Sequence, residues 1–379
     1  MNIVFVINEH YPFGMAATMR IKLFSEFLVE KNHEVNVVVS NQDNGINKRV
    51  GKHNNVSYST ILSDKFPGFV LYILYPFLAF YHLISSKNNK NKNVLIIYGG
   101  INLFNLQFIL FGKLIGYKII LDIVEDRIYS TEKMPFSTKF HLWISEIILP
   151  YLGWLINGVV VISTRLMKKY NLLFKKIDVV HIPGSAANLD FSYKRDINIG
   201  KMIKITYAGS YGHKDGVEYL IDAFCEISKN NTDVLLVLLG GTKRAISIVS
   251  RYSKSPITFS FTGPSSIPSA LKDKVLLNDN TNIELVSYLP DDEYWQKLSE
   301  SDILCMTRID TSFANSGFPF KLGEYLATGR PVIATEVSDV TFYLTDKQDF
   351  VMAKPSDTES LISALEYLVK HPDKRSEIG

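Results

Sequence analysis

Short apolar runs rich in β-branched residues recur along the chain and alternate with longer segments of mixed polarity. In the first half these runs cover residues 2–7, 34–40, 93–98, 117–123, 158–163 and 178–183. Continuous apolar runs of this length are typical of parallel strands that are buried on both faces. Helices are predicted between them, as at 17–31 and 102–115, and this βαβα order indicates a doubly wound, Rossmann-like sheet.

A second series of the same kind follows the polar stretch 186–201, which predicts a linker. Its predicted strands are 204–209, 233–241, 282–289, 302–306 and 331–335, and its predicted helices are 216–229, 291–300 and 320–328. A chain of 379 residues is longer than a domain with one hydrophobic core usually is. We therefore predict an α/β protein with two Rossmann-like domains, at 1–185 and 202–379, that face a central cleft.

Two parts of the second domain depart from this regular pattern. Residues 254–281 hold scattered Pro, Ser, Asn and Lys without periodicity, which predicts an irregular excursion. A helix is predicted over 357–371, and the chain stops soon after it. The short ending indicates a domain that is truncated at its end.

Composition and charge exclude several classes of protein. The chain is 46% hydrophobic and 21% charged, which excludes a disordered chain, and its net charge of +3 excludes a general nucleic-acid binder. Only Cys225 and Cys305 are present, too few for a disulfide framework, so a reducing compartment is favoured. The amino terminus predicts a first strand and no signal peptide, and we expect a cytoplasmic protein.

Two apolar segments leave room for contact with a membrane. Residues 66–86 contain no charged side chain, but Pro76 lies in the middle, so burial or interfacial attachment is favoured over spanning. Lysines flank this segment, and anionic headgroups would attract them. Residues 136–157 place Trp143, Tyr151 and Trp154 among apolar neighbours. Both segments are equally compatible with helices packed in the core.

Ligands of open α/β sheets bind beyond the carboxyl ends of the strands, and three motifs lie at such places. The first, at 9–20, has Gly14 for close backbone approach and Arg20 one turn inside a helix, which suits a phosphate. A glycine turn with a surface arginine is an equally good interpretation.

The second motif, at 207–224, follows a predicted strand. Gly209 and Ser210 make a flexible turn, Lys214 supplies a cation, and a helix begins at Gly216. Together these groups suit a pyrophosphate. Taken alone, the motif favours a solvent-facing lysine in a βα loop.

The third motif is FPFKLGEYLATGRPVIAT, at 318–335. Lys321 and Glu324 are three residues apart and share one face of the predicted helix. The carboxylate can accept both hydroxyls of a ribose, and the lysine can meet a phosphate. A surface Lys–Glu pair is the ordinary alternative.

The three motifs, together with SYLPDDEYWQKLSESDILCMT, resemble the retaining GT4 glycosyltransferases (glycosyl transferases group 1) in order and spacing. The resemblance covers nearly the whole chain. It implies a GT-B fold whose second domain holds a UDP- or GDP-sugar, with UDP favoured, and whose first domain holds the acceptor. It also implies that no metal or other cofactor is needed.

The resemblance assigns roles to individual residues. It implies that Lys214 and Lys321 offset the charge of the leaving diphosphate, that Glu324 binds the ribose, and that Gly14 approaches the diphosphate. The implied donor-binding set is Gly14, Gly209, Ser210, Lys214, Ser316, Gly317, Phe318, Lys321, Leu322 and Glu324.

Two positions depart from the family pattern. Ser316 stands where many members have the first of two glutamates, so we expect backbone amides at 316–318 to orient the sugar instead. Ser210 stands where many members have an arginine that helps to bind the diphosphate. Lys214 is expected to compensate for that arginine.

The loop at 121–127 follows a first-domain strand and supplies carboxylates on the acceptor side. Glu125 and Asp126 are candidates for orienting an acceptor hydroxyl, with Asp122 and Arg20 beside them. Capping of the next helix is an equally good explanation of the carboxylates.

We therefore predict a glycosyltransferase that moves a sugar to a glycan or lipid-linked acceptor in bacterial capsule, lipopolysaccharide or other surface polysaccharide assembly. It is expected to be cytoplasmic and to associate peripherally with the inner face of the plasma membrane. Two alternatives remain open, a nucleotide-sugar 2-epimerase of the same fold and a non-catalytic partner that binds nucleotide-sugars.

Overall fold

The computed structural model describes residues 1–40, 48–61, 68–129, 136–186, 202–240, 259–262, 283–287 and 289–378. The chain divides into two compact units. The first comprises Met1–Ser185 with Ser316–Phe318, and the second comprises Ala186–Asn315 with Pro319–Gly379. Apart from Ala186, the predicted linker at 186–201 lies outside the described residues.

The first unit is built on a sheet of eight strands within the described residues. The strands are β1 Asn2–Ile7, β2 Glu34–Val39, β3 Val50–His53, β4 Val56–Thr60, β5 Asn93–Tyr98, β6 Lys118–Ile123, β7 Gly158–Val161 and β8 Asp178–His181. Their order across the sheet is β3-β4-β2-β1-β5-β6-β7-β8, and all neighbours are parallel except β3 and β4. Every residue of the central strand β1 is buried. The doubly wound first sheet is therefore confirmed.

Helices connect these strands. They are α1 Ala16–Glu30, α2 Gly68–Ser85, α3 Leu103–Leu114, α4 Phe136–Ile148 and α5 Thr164–Leu173, with 3-10 helices at Arg127–Tyr129 and Leu149–Leu155. The helix α2 continues through Pro76. No helix in the described part of the chain is both long and apolar enough to cross a bilayer.

The second unit carries a sheet of seven parallel strands within the described residues. They are β9 Ile203–Gly209, β10 Val234–Gly240, β11 Phe259–Thr262, β12 Ile283–Val286, β13 Ile303–Met306, β14 Val332–Thr335 and β15 Val351–Ala353. Their order is β11-β12-β10-β9-β13-β14-β15. The irregular excursion predicted at 254–281 is wrong over Phe259–Thr262, because β11 pairs with β12 there; the rest of that segment lies outside the described residues.

Six α-helices accompany this sheet within the described residues. They are α6 Val217–Ile227, α7 Asp291–Ser299, α8 Phe320–Ala327, α9 Val340–Tyr343, α10 Thr358–Lys370 and α11 Pro372–Ile378. One apolar core joins α6 and α10 to the sheet, with Phe224 and Leu365 fully buried in it. The rigid sheet and α8 thus fix the loops at the strand ends.

A buried ion pair joins α1 to β6 in the first unit. Arg20 is 2% exposed and Asp122 is 0% exposed, and the guanidinium reaches the carboxylate at 2.9 Å. Arg20 also donates to the carbonyls of Ile182 and Pro183 and lies over the ring of Phe24. All these partners are internal, which favours a structural role for Arg20 and Asp122 over the predicted contacts with phosphate or acceptor.

Removing Arg20 should destabilise the first unit strongly, because Asp122 would remain buried and unpaired. We expect Arg20→Ala to lower the free energy of unfolding by roughly 3–5 kcal/mol in urea denaturation. The matched control is Lys229→Ala, which breaks an exposed pair with Glu226 and should cost less than about 1 kcal/mol. Equal losses in the two variants would contradict the structural role.

Candidate functional site

Two loops of the second unit are hydrogen-bonded to each other where the parallel strands β9 and β13 end. The Thr307 hydroxyl donates to the carbonyl of Asp215 at 2.9 Å, and the Ile309 amide donates to the carbonyl of Lys214 at 3.0 Å. Gly216 has a φ of +59°, and a Cβ there would collide with the carbonyl of Thr307. Only glycine therefore permits this close approach.

The carboxylate of Asp215 lies at the centre of the two loops and is 3% exposed. It accepts from the Gly212 amide at 2.9 Å and from the Ser210 hydroxyl at 3.3 Å. The Lys321 ammonium lies 3.2 Å away and forms an ion pair with it. Burial alone would raise the pKa of Asp215, but Lys321 and Arg308 lower it to about 2, so the carboxylate is ionised at neutral pH.

Lys321 reaches this point from the first turn of α8. Its ammonium donates to the Tyr207 hydroxyl at 2.7 Å and lies 4.2 Å from the centre of the same ring. A Cβ on Gly209 would stand 2.6 Å from the ammonium nitrogen, so the glycine makes room for the lysine. Burial lowers the pKa of Lys321, and Asp215 opposes that shift.

The next turn of α8 is anchored on β9 by a tyrosine. Pairing between β13 and β9 ends at Leu304 and Thr206, so the backbone of Ala208 lacks a strand partner on that side. The Tyr325 hydroxyl accepts from the Ala208 amide at 2.8 Å and donates to its carbonyl at 3.1 Å. This bridge sets the position of α8 and hence of Lys321.

Two further cations act on the buried carboxylate. Lys214 and Arg308 both lower the pKa of Asp215, as Lys321 does. Three cations against the carboxylate of Asp215 leave a local excess of two positive charges, and this excess is smaller when the neighbouring Glu324 is ionised. Arg308 is 8% exposed, and its Nε has no hydrogen-bond partner among the described residues. The Lys214 ammonium lies 4.6 Å from the centre of the Phe313 ring.

The second carboxylate of the site is Glu324, one turn along α8 from Lys321. It is 8% exposed and accepts from the Tyr294 hydroxyl of α7 at 3.0 Å. Burial raises the pKa of Glu324 to about 7, although Tyr294 and Lys321 oppose the shift. The carboxylate is therefore only partly ionised near neutral pH.

The structure brings together Gly209, Ser210, Lys214 and Lys321, with Glu324 beside them, as the motifs indicated. Leu322 is different, because its side chain is buried and its amide donates to the carbonyl of Pro319. Its contacts favour a packing role over the predicted donor contact.

Four polar residues of the site were missed by sequence reasoning: Tyr207, Asp215, Tyr294 and Arg308. Asp215 lies inside the second motif, and Arg308 follows the strand predicted at 302–306. The rule that ligands bind beyond strand ends could therefore have identified Arg308 from the sequence. Tyr207 and Tyr294 join the site through tertiary contacts that no sequence spacing displays.

The packing of the first unit explains why residue 14 is a glycine. A Cβ at Gly14 would collide with the side chain of Thr18, whose hydroxyl donates to the carbonyl of His10 at 2.6 Å. The glycine allows the loop to fold onto the start of α1. Its contact with a diphosphate stays a prediction.

Glu125 and Asp126 line a pocket of the first unit together with Gly99, Gly100 and Glu146. One oxygen of Asp126 forms an ion pair with Lys169 at 2.9 Å. The other oxygen, Oδ1, is buried without a hydrogen-bond partner among the described residues. Asp126 thus lines the pocket and has one carboxylate oxygen without a hydrogen-bond partner among the described residues.

The segment Ser316–Phe318 groups with the first unit. Ser316 is fully buried, its hydroxyl accepts from the Asp126 amide at 3.0 Å, and its carbonyl accepts from the Ser163 hydroxyl at 2.6 Å. These bonds hold the segment beside the pocket. The predicted contact of Ser316, Gly317 and Phe318 with the donor sugar stays a prediction.

Comparison with known proteins identifies the second unit. Residues 203–371 match the model of the family Glycosyl transferases group 1. No curated protein matches the sequence. This match over residues 203–371 confirms the resemblance to glycosyl transferases group 1. The narrower assignment to the GT4 family stays a prediction.

Solved structures show the fold of the whole chain. Sucrose-phosphate synthase from Thermosynechococcus elongatus matches with a TM-score of 0.68 and 13% identity over 99% of this chain and 91% of that one. HepE from Anabaena, solved with UDP and glucose, matches with a TM-score of 0.66 and 12% identity over 99% and 92%. WaaG, a glycosyltransferase involved in lipopolysaccharide biosynthesis, matches with a TM-score of 0.64 and 12% identity over 99% of this chain and 92% of that one. The GT-B fold is thereby confirmed.

The raised pKa of Glu324 predicts a pH-dependent stability. The folded pKa of about 7 lies above the ordinary value of 4.5, so folding favours the protonated acid. This contribution is complete below pH 4.5 and is lost as the pH rises through 7. Between these limits the free energy of unfolding of the wild type should fall relative to Glu324→Gln, by roughly 3 kcal/mol at most. Parallel urea-denaturation curves from pH 4 to about 8 measure the difference, and a constant difference would contradict the shift.

Proposed function

We propose that this chain, with its group 1 glycosyltransferase domain on a GT-B fold, transfers a sugar from a UDP- or GDP-sugar to a glycan or lipid-linked acceptor with retention of configuration. UDP is the favoured nucleotide. We further propose that the reaction belongs to bacterial surface polysaccharide biosynthesis and takes place at the cytoplasmic face of the plasma membrane. The excess positive charge around Asp215 is the observation that carries the proposal.

The cations are suited to a diphosphate. Lys321 is held by Tyr207 and Asp215, and Arg308 offers a buried Nε that lacks a partner among the described residues. A buried guanidinium N–H without an acceptor is costly, and a phosphate oxygen would satisfy it. We assign Arg308 the role that the family gives to an arginine at the position of Ser210.

The neighbouring carboxylate is suited to a ribose. Glu324 already accepts from Tyr294 and has further lone pairs for the two ribose hydroxyls. Those hydroxyls donate best to an ionised carboxylate. Nucleotide binding should therefore favour the deprotonated form of Glu324.

The acceptor side is assigned to the pocket of the first unit. Asp126 Oδ1 accepts a hydrogen bond from the acceptor hydroxyl, with Glu125 beside it, and so orients the attacking oxygen. That oxygen forms a bond to the anomeric carbon as the bond from that carbon to the β-phosphate oxygen breaks. The hydroxyl proton passes to the departing phosphate, and the cations stabilise the diphosphate that forms. No metal is proposed for this step.

Two structural relatives support the assignment of donor and pathway. HepE was solved with UDP and glucose and also with UDP-glucose. WaaG is described as a glycosyltransferase of lipopolysaccharide biosynthesis. Both share only the fold with this chain, so donor and pathway are proposals here.

A direct test of the reaction incubates the protein with UDP-sugars, with and without bacterial membrane extracts as acceptors. NMR of the product should show the anomeric configuration of the donor. Accumulation of a 2-epimer without any acceptor would indicate an epimerase instead. Donor binding without turnover in every extract would favour a binding protein.

Loss of Lys321 or Glu324 should weaken nucleotide binding through different parts of the ligand. We expect Lys321→Ala and Glu324→Ala each to reduce the UDP affinity by ~10-fold or more in calorimetry, because each removes a charged hydrogen-bond partner. Lys370→Ala, on the exposed face of α10, is the control and should bind as the wild type does. Unchanged affinity in both site variants would refute the assignment.

Arg308→Gln should discriminate between phosphate and nucleoside contacts. If Arg308 meets the diphosphate, its loss reduces the UDP affinity by ~10-fold or more and leaves the uridine affinity unchanged. Calorimetry with the two ligands gives both values. Equal losses for uridine and UDP would show that the arginine acts only through the fold of the site.

A further inference from the structure

Helix α4 and the 3-10 helix after it present a continuous row of large apolar side chains to solvent. The members recur every three or four residues, as expected for one face of a helix. We name them the aromatic row: Phe136, Phe140, Trp143, Ile147, Tyr151 and Trp154. Phe136 is 83% exposed and Trp154 is 71% exposed. Two of the three tryptophans of the chain lie in this row.

The helices beside the row extend the apolar surface. The helix α3 contacts the 3-10 helix Leu149–Leu155 on one side and packs against α2 on the other. It exposes Leu110 and Leu114, while α2 exposes Phe77, Tyr81 and Ile84. Because these helices contact one another, we treat the exposed side chains and the aromatic row as one surface, which we call the apolar face.

The second unit has no comparable surface among its described residues. Its exposed large hydrophobic residues there are Met202, Phe342 and Tyr343. Scattered apolar residues of this kind are ordinary on soluble proteins, whereas a contiguous apolar surface marks an interaction site.

The charges around the apolar face are mainly positive; an exception is Glu34, whose carboxylate accepts from the side chains of Asn88 and Asn91 in the loop after α2. Residues 65–121, which include α2 and α3, contain no Asp or Glu. The loop after α2 carries the exposed Lys87, Lys90 and Lys92, and the adjacent strand β6 begins with the exposed Lys118. Within the segment of the aromatic row the acidic residue is Glu146, and it is paired with Lys169. The surroundings are therefore complementary to an anionic surface.

We infer that the apolar face docks on a bilayer that contains anionic lipids. The aromatic rings would lie at headgroup depth, and the lysines would contact lipid phosphates. A second copy of the chain fits less well, because a two-fold contact through this face would bring the same lysines together. The inference deepens the membrane location proposed above by naming the surface.

Vesicle binding tests the inference without any sugar transfer, so its failure and that of the proposed reaction are distinguishable. The full chain is mixed with phosphatidylcholine vesicles with and without phosphatidylglycerol. We expect co-sedimentation and a blue shift of tryptophan emission with the anionic vesicles, both weakened by added salt. Quenching of the emission by brominated lipids should place Trp143 and Trp154 in the interface.

Two sets of substitutions separate the apolar from the ionic contribution. Trp143→Ser with Trp154→Ser should reduce vesicle partitioning by ~10-fold or more. Lys87→Glu with Lys90→Glu and Lys92→Glu should remove most of the preference for anionic vesicles. The control Phe342→Ser with Tyr343→Ser changes exposed aromatics of the second unit and should leave partitioning unchanged.

Circular dichroism and urea-denaturation curves like those of the wild type confirm that each variant is folded. Equal partitioning of the wild type and the tryptophan variant would overturn the inference. So would a lipid-free dimer that the tryptophan substitutions dissociate, because a second copy would then cover the face.

Discussion

The ion pair between Lys321 and Asp215 organises the candidate donor site, because each partner is tied to a different part of the second unit. Asp215 belongs to the loop after β9, and Lys321 belongs to α8. The pair is nearly buried, so its charges act with little screening by water. With Lys214 and Arg308 nearby, the carboxylate offsets only part of the positive charge. The remainder is available to an anionic ligand, which connects the fold to the proposed chemistry.

The sequence predicted most of the scaffold, because buried parallel strands are continuous apolar runs that local composition reveals. It predicted the strands at 2–7 and 93–98 and the helix at 320–328 to within about one residue at each end. It did not reveal the edge strand Val50–His53, because the sequence VGKH has few apolar residues and its side chains are exposed or only partly buried. Whether a polar group faces a ligand or a partner in the core depends on tertiary contacts. Arg20, for example, lies in a motif that suits a phosphate but forms a buried ion pair with Asp122.

The hydropathy of the helices shows the same limit. Residues 66–86 and 136–157 are apolar enough to be buried in a core or to lie at an interface, and 66–86 is also long and apolar enough to suggest a spanning helix. Composition alone does not choose among these alternatives. The structure shows helices that bury one side and expose aromatic rings on the other. The sequence contains no carboxylate over 65–121. That this favours an anionic partner became clear only from the structure, in which those helices expose their apolar side chains together.

The central claim is that the charge excess around Asp215 binds the diphosphate of a nucleotide. Calorimetric titration of the wild-type protein with uridine, UMP and UDP at two salt concentrations tests it most directly. The affinity should rise with each added phosphate, and added salt should weaken UDP more than uridine. Equal affinities for uridine and UDP at both salt concentrations would contradict the account.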